Sequence, residues 1–151
     1  MNKTEETGPL LRVCRLLNDK GAKYLVAGAY AMILNSIIRA TEDVDILIDH
    51  SPENFEKVIA ALSLLSDGAA RELTPEDFIE NTVVKIADEV EVDVTTSAWS
   101  VTYQDAITHA QERVIDGVKI PYLSLEDLIR SKQSQREQDR VDVELLRRLL
   151  P

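Results

Sequence analysis

Two aspartates separated by one residue, Asp43 and Asp45, form the pair of side chains in this sequence with the clearest chemical potential. They open an alternating segment, and alternate side chains of a strand point to the same face, so the two carboxylates should lie about 7 Å apart. Two like charges this close repel unless a cation lies between them. Mg²⁺ prefers oxygen ligands, usually one or two carboxylates together with substrate phosphates. The pair therefore predicts a magnesium site that acts on a phosphorylated substrate.

A third carboxylate on a neighbouring strand would complete a site for two metal ions. Such a site stabilises the attacking and leaving oxygens of a phosphoryl displacement. Asp93 stands between two valines in a second β-rich segment and is the preferred candidate. Glu91 lies on the same face of that segment two residues earlier and is the alternative.

A glycine turn, Gly28-Ala29, follows the short apolar run at residues 24–27 and precedes a segment with helical periodicity. Backbone N–H groups at the start of a helix favour anions, and glycine lets the chain approach a phosphate closely. The turn is therefore a candidate phosphate cradle, although a glycine that merely turns the chain is the alternative.

Hydrophobic periodicity predicts the elements that must position these residues. Beyond the strands already mentioned, it predicts an antiparallel hairpin over residues 82–95 and a second one through Asp116-Gly117. Helices are predicted over residues 9–20, 29–38, 52–65, 75–80 and 103–110, from the capping box at Ser124 onward, and over residues 141–150. Residues 133–139 are the candidate hinge. The pattern predicts a single α/β domain over residues 1–151, with its core at about residues 22–95 and a C-terminal hairpin and helices at about residues 111–150.

Composition limits the classes of protein that this sequence can be. The chain has 151 residues, 17 Lys and Arg against 27 Asp and Glu, and a formal net charge of −10. Nucleic-acid binding depends on basic side chains, so no extensive nucleic-acid surface is expected. A single cysteine, Cys14, cannot form an intramolecular disulfide. No apolar stretch approaches the roughly 20 residues that span a bilayer, and the polar N-terminal residues do not form a signal peptide, so a soluble, cytoplasmic protein is predicted.

The segments VAGAYAM (residues 26–32), RATEDVDILI (residues 39–48) and VDV (residues 92–94) together carry a resemblance. They resemble the nucleotidyltransferase superfamily, which has the DNA polymerase beta-like fold, in its small bacterial branch. A second stretch, IPYLSLEDLIRSK (residues 120–132) followed by DRVD (residues 139–142), is similar to the C-terminal signature of the abortive-infection AbiE-type nucleotidyltransferases.

This resemblance implies a mixed β-sheet flanked by helices, with further helices at the C-terminus. It implies that an NTP is the substrate, that its β- and γ-phosphates lie against Gly28 and Ala29, and that an acceptor hydroxyl attacks the α-phosphorus with release of pyrophosphate. Asp43, Asp45 and Asp93 would bind Mg²⁺, or Mn²⁺ in its place, and Asp93 could assist deprotonation. Arg39, Thr41 and Lys132 would be supporting phosphate or acceptor contacts. The family commonly has Gly-Gly or Gly-Ser where this chain has Gly28-Ala29.

Nucleotidyl transfer to an unknown small-molecule, protein or RNA acceptor is thus the first hypothesis. The second is a toxin–antitoxin or defence component that acts through an antitoxin-like protein or an RNA. The third is a degenerate domain that binds nucleotide without turnover, with a homodimer completing the site. Two side-chain roles also stay open: Trp99 and Tyr103 either stack on a nucleobase or fill a core edge, and Lys132, Arg136 and Arg140 form either a basic stripe or an ion-paired face.

Overall fold

The computed structural model describes residues 3–40, 43–132 and 136–151. Eight strands are present in this part of the chain, β1 (Tyr24–Ala27), β2 (Val44–Ile48), β3 (Val83–Ile86), β4 (Val92–Thr95), β5 (Ser97–Ala98), β6 (Val101–Thr102), β7 (Gln111–Ile115) and β8 (Val118–Tyr122). The α-helices are α1 (Lys3–Asp19), α2 (Gly28–Leu34), α3 (Pro52–Leu62), α4 (Pro75–Glu80), α5 (Tyr103–Ala106), α6 (Leu125–Arg130) and α7 (Glu137–Arg147). A 3-10 turn spans Ala69–Glu72.

Six strands form one mixed sheet in the order β3-β4-β2-β1-β8-β7, and β5 pairs with β6 in a small separate sheet. Strand β2 is antiparallel to β1 and parallel to β4, while β1 is parallel to β8. Both predicted hairpins are confirmed, since β3 pairs with β4 and β7 pairs with β8 in antiparallel fashion. The mixed sheet flanked by helices confirms the predicted fold class, and the C-terminal hairpin extends the sheet that contains the core strands.

The central strands are buried because helices cover the sheet, which is why β1 is apolar at every position. Strand β4 differs, because Val92 and Val94 are buried whereas Asp93 and Thr95 are partly exposed. This alternation leaves one face of the sheet open beside β4, and polar side chains occupy it.

Several element boundaries differ from those that the sequence predicted. Helix α1 begins at Lys3 and contains Pro9, because a proline removes only one backbone donor from a helix of 17 residues. Helix α2 ends at Leu34 rather than at residue 38. There the Asn35 side-chain amide donates to the Ala31 and Leu123 carbonyls and Ser36 takes a left-handed conformation. Helix α3 ends at Leu62 rather than at residue 65, and α5 covers only Tyr103–Ala106 of the predicted residues 103–110. The β5–β6 hairpin and the 3-10 turn were not predicted.

For the last helix, periodicity predicts an apolar face of Val141, Val143, Leu145, Leu146, Leu149 and Leu150, and the structure confirms half of it. Leu146 is buried and Val143 and Leu150 pack against the core, whereas Val141, Leu145 and Leu149 are exposed. The helix also buries Asp139 and Asp142. Ion pairs with Arg39, Lys132 and Arg136 hold these two aspartates on the inner side of the helix. The helix also begins at Glu137, inside the predicted hinge, whose residues 133–135 lie outside the described part of the chain.

None of the helices that the structure describes is both long and apolar enough to cross a membrane.

Candidate active site

Strand register brings the two preferred aspartates together. Asp45 on β2 lies directly opposite Asp93 on the parallel strand β4. On its other side, Asp45 lies opposite Ala27, the last residue of β1. The carboxylate pair therefore lies beside the glycine turn, as the sequence predicted from three separate segments.

Burial and like charges act together on Asp45. Burial, then the nearby charges of Asp93 and Asp43, raise the pKa of the Asp45 carboxyl to about 6, while Lys132 opposes the shift. Hydrogen bonding to Asp93, on the adjacent strand, makes a smaller contribution that also raises the pKa of Asp45. A carboxyl group disfavoured in its charged form by its neighbours gains from a bound cation.

Gly28 has a role in the site that its sequence position alone did not disclose. Its backbone is left-handed, with φ of +60°, a conformation that glycine adopts without steric strain. A Cβ atom at this position would lie 2.1 Å from Oδ2 of Asp45. The glycine is thus required for the turn and for the close approach of the Asp45 carboxylate to the backbone.

Asp43 precedes β2 and lies near enough to raise the pKa of Asp45. Its Oδ1 atom is buried and has no hydrogen-bond partner among the described residues. However, the described ranges contain no group of three or more His, Cys, Asp or Glu side chains arranged to hold a metal ion. The residues fit one Mg²⁺ held by Asp45 and Asp93, because Mg²⁺ requires only one or two carboxylates when phosphates and waters complete its shell.

Glu91, the alternative to Asp93, lies outside β4 and is exposed. Its carbonyl accepts a hydrogen bond from the Val44 N–H. Asp93, by contrast, faces Asp45 and is contacted by the Lys85 ammonium at 3.4 Å. The geometry favours Asp93.

Gly28, Asp45, Asp93 and Lys85 line one cavity of about 800 Å³, a size typical of small-molecule sites, whereas Asp43 is not among its lining residues. The lining comes from the glycine turn, β2 and the residues before it, the β3–β4 and β5–β6 hairpins, and residues next to the end of α6 and the start of α7. They are Ala27, Gly28, Ala29, Arg39, Asp45, Thr82, Val83, Lys85, Asp93, Thr95, Ser97, Ala98, Trp99, Ser131, Lys132, Arg136, Gln138 and Asp139.

A buried carboxylate, Asp142 on α7, organises the basic side of this cavity. Arg39 and Lys132 both form ion pairs with it, the Lys132 ammonium at 3.0 Å. The Gln138 side-chain amide donates a further hydrogen bond at 2.9 Å. Asp139, one turn before, pairs with Arg136 at 3.2 Å. Arg39 and Lys132 are therefore held at the cavity by a carboxylate of α7, whereas Lys85 on β3 pairs with Asp93 itself.

Of the predicted contact residues, Gly28, Ala29, Arg39 and Lys132 all line the cavity. Thr41 lies outside the described residues. The prediction did not include Lys85, Gln138 or Asp139, and it named Arg136 only as a member of the basic stripe or ion-paired face. Lys85 was accessible to sequence reasoning, because the register of the β3–β4 hairpin puts it directly opposite Asp93.

Two of the open alternatives are decided by burial and pairing. Trp99 is 62% exposed and lines the cavity, so its placement at a core edge is wrong, whereas Tyr103 is packed against the core. Lys132 and Arg136 are paired with carboxylates, as an ion-paired face requires, although both also line the cavity. Cys14 is buried in the core, as predicted, and burial raises the pKa of its thiol to about 12.

The comparison with solved structures concerns the fold. Six chains of solved structures match significantly, among them a Thermotoga maritima protein that is described as a putative nucleotidyltransferase. That match has a TM-score of 0.59 and 18% identity, and it covers 98% of this chain and 94% of the other. The nucleotidyltransferase fold expected from the sequence is therefore confirmed.

A family model described as aminoglycoside-2''-adenylyltransferase matches residues 9–146, and the chain belongs to this nucleotidyltransferase family. No curated protein sequence matches significantly. Neither result concerns the AbiE-type branch, which stays a prediction. The enzyme class that the sequence predicted, nucleotidyl transfer, is confirmed at the level of the family.

Proposed function

We propose that this protein transfers a nucleoside monophosphate from a magnesium-bound NTP to a hydroxyl group of an acceptor. The observation that carries the proposal is the placement of Asp45 directly opposite Asp93 on adjacent parallel strands, beside Gly28, where any side chain would clash with the Asp45 carboxylate. A shared cation relieves the repulsion in this pair.

The reaction joins the acceptor oxygen to the α-phosphorus and breaks the bond from that phosphorus to the oxygen that leaves with pyrophosphate. The proton of the hydroxyl passes to a carboxylate, and Asp93 is our choice because it lines the cavity and is partly exposed to it. Mg²⁺, or Mn²⁺, bound to Asp45 and Asp93 would neutralise charge on the phosphates, and Asp43 is the further ligand that we propose.

Backbone and basic groups would orient the triphosphate. Gly28 and Ala29 present their backbone to the cavity, and Ala29 supplies an N–H but no hydroxyl. Arg39 and Lys132, which both pair with Asp142, also line the cavity and offer positive charge to it. We retain both side chains, together with Thr41, as proposed phosphate or acceptor contacts.

For the acceptor, a specific candidate comes from the family description, which names adenylyl transfer to the 2'' position of an aminoglycoside. The net charge of −10 favours a cationic molecule of this kind, because opposite charge attracts it to the protein surface. A hydroxylated amino sugar is therefore the first acceptor class that we propose to test.

The test is calorimetric titration of each NTP with Mg²⁺ into the wild type and the Asp45→Asn and Asp93→Asn variants. We expect metal-dependent binding by the wild type and a loss of at least about tenfold in each variant, because a charge-assisted contact contributes about 1.5–3 kcal/mol. Glu91→Gln is the matched control, since this neighbouring carboxylate is exposed.

Unchanged binding in both aspartate variants would contradict the site. Binding without transfer to any hydroxylated amino sugar, protein or RNA would favour the degenerate nucleotide-binding domain. Absence of NTP binding by the wild type would instead favour a toxin–antitoxin or defence role that depends on a partner, and growth inhibition on overexpression would then be the next measurement.

A further inference from the structure

We propose that Trp99 is the platform on which the nucleobase of the substrate stacks. The inference rests on the proposed function and adds to it the residue that holds the base. Trp99 lies at the tip of the β5–β6 hairpin, lines the cavity that contains Asp45 and Asp93, and leaves 62% of its surface exposed. A large aromatic side chain exposed inside a polar cavity has apolar surface available for a flat ligand.

The backbone at Trp99 supports a functional reason for this residue. Its φ is +56°, a left-handed conformation that bulky side chains seldom adopt and that glycine or asparagine adopts more readily. Non-glycine residues in such conformations cluster at ligand sites, where the surrounding structure holds them. Because this turn position favours small residues, tryptophan does not serve to form the turn, and its ring is the part of the residue that has a use.

The hairpin that carries Trp99 is fixed to the strand of Asp93. The Thr95 hydroxyl, at the end of β4, donates to the Ser97 carbonyl at 2.7 Å, and Thr95 is only two residues from Asp93. The ring is therefore attached by a short, hydrogen-bonded segment to one of the two carboxylates at which the α-phosphate would react.

The chemistry of the surrounding wall fits a base rather than a phosphate. Val83, Thr95, Ser97 and Ala98, which line the cavity from the same β3–β6 region, are uncharged, and Val83 is itself exposed. The two charged lining residues of this region, Lys85 and Asp93, pair with each other at 3.4 Å. The arginines that line the cavity, Arg39 and Arg136, come from other segments. Stacking on a π-face tolerates all bases, so we expect binding of several NTPs, with purines bound more tightly because of their larger rings.

Trp99 is the only tryptophan in the sequence, so selectively excited tryptophan fluorescence reports on this residue alone. We expect titration with Mg²⁺-ATP to quench the emission and titration with Mg²⁺-tripolyphosphate, which has no base, to leave it nearly unchanged. Equal responses to both compounds would overturn the proposal, because Trp99 would then respond to the phosphates.

Substitution provides the second readout, with calorimetric ATP affinity measured for each variant. Trp99→Phe should retain binding within about threefold, whereas Trp99→Asn should weaken it between about 5-fold and 100-fold, the range expected when one stacking contact is removed. Asparagine suits the left-handed turn, so the thermal midpoint of Trp99→Asn should not fall below that of the wild type.

Val114→Asn is the matched control, because Val114 has the same exposed fraction, 62%, and does not line the cavity. If the wild type and Trp99→Asn bind ATP equally, the stacking role is wrong while the proposed function stands. If the wild type binds no NTP, the proposed function and the stacking role fail together.

Discussion

At the scale of single residues, Asp45 shows how a functional site opposes stability. The side chain is placed between two other carboxylates and removed from water, and its pKa rises to about 6 as a result. In the unfolded chain the group has an ordinary pKa near 4. Its ionisation at neutral pH therefore destabilises the folded protein, and only a bound cation compensates fully.

Asp45→Asn should accordingly stabilise the metal-free protein at neutral pH. Because the folded pKa is raised, the contribution of Asp45 to stability is present below about pH 4 and is lost as the pH rises through about 6. Across this interval the free energy of unfolding of the variant should rise relative to that of the wild type, and the difference should reach about 2 kcal/mol by pH 7. The measurement is denaturant unfolding of both proteins with a chelator present at pH 4, 5, 6 and 7.

Taking the difference between the two proteins removes the contribution of titrating groups that do not interact with Asp45, and leaves that of Asp45 together with its coupled neighbours Asp43 and Asp93. A difference that does not change with pH would contradict the environment described for Asp45. Mg²⁺-NTP should stabilise only the wild type, because the variant lacks one of the proposed ligands.

At the scale of elements, helix α7 is attached by buried ion pairs as well as by apolar contacts. Leu146 is buried and Val143 packs against the core, whereas Val141, Leu145 and Leu149, which recur every four residues, are exposed. The helix also buries Asp139 and Asp142, which pair with Lys132 after α6, with Arg39 before β2 and with Arg136 at the N-terminal end of α7. Docking of this helix therefore depends on the same contacts that hold the cations at the cavity.

Asp142→Ala should destabilise the protein by about 3 kcal/mol, because it removes the carboxylate that pairs with Arg39 and leaves Lys132, in a largely buried place, with only the longer pair to Asp139 at 3.9 Å. The free energy of unfolding from denaturant titration measures this loss. Glu144→Gln, on the exposed face of the same helix, should change stability by less than about 0.5 kcal/mol, since its pair with Arg148 is solvated. Equal effects of the two substitutions would mean that the buried ion pairs do not hold α7.

At the scale of the whole molecule, the net charge of −10 acts on any charged ligand that approaches. Salt screens this long-range attraction while leaving short contacts in the site largely intact. The charge thus bears on the class of acceptor more directly than on the chemistry at Asp45 and Asp93.

If the acceptor is a cationic amino sugar, its KM should rise several-fold when the salt concentration is raised from about 50 mM to about 300 mM. The KM for the NTP serves as the internal comparison, because the NTP is anionic and gains no such attraction. Transfer assays at both salt concentrations measure the two constants. A KM for the acceptor that is insensitive to salt would argue for an uncharged acceptor.

Local patterns accounted for much of the fold and for the identity of the site residues. Alternation of valine and aspartate predicted β2 and β4, and the Asp116-Gly117 pair predicted the β7–β8 turn, where both residues have positive φ. The helix boundaries were less well predicted, because Asn35 ends α2 through a bond to Leu123, far along the chain.

The sequence by itself determined the carboxylates and glycine of the candidate site, because these depend on spacing within short segments, and its resemblance to the nucleotidyltransferases implied the fold. Only the tertiary structure decided that Asp93 faces Asp45, that Asp142 holds Arg39 and Lys132, and that Trp99 enters the cavity exposed. Each of these contacts joins segments remote in the sequence or depends on which face of an element is covered. Strand order and burial arise from packing of the whole chain, and no local pattern encodes them.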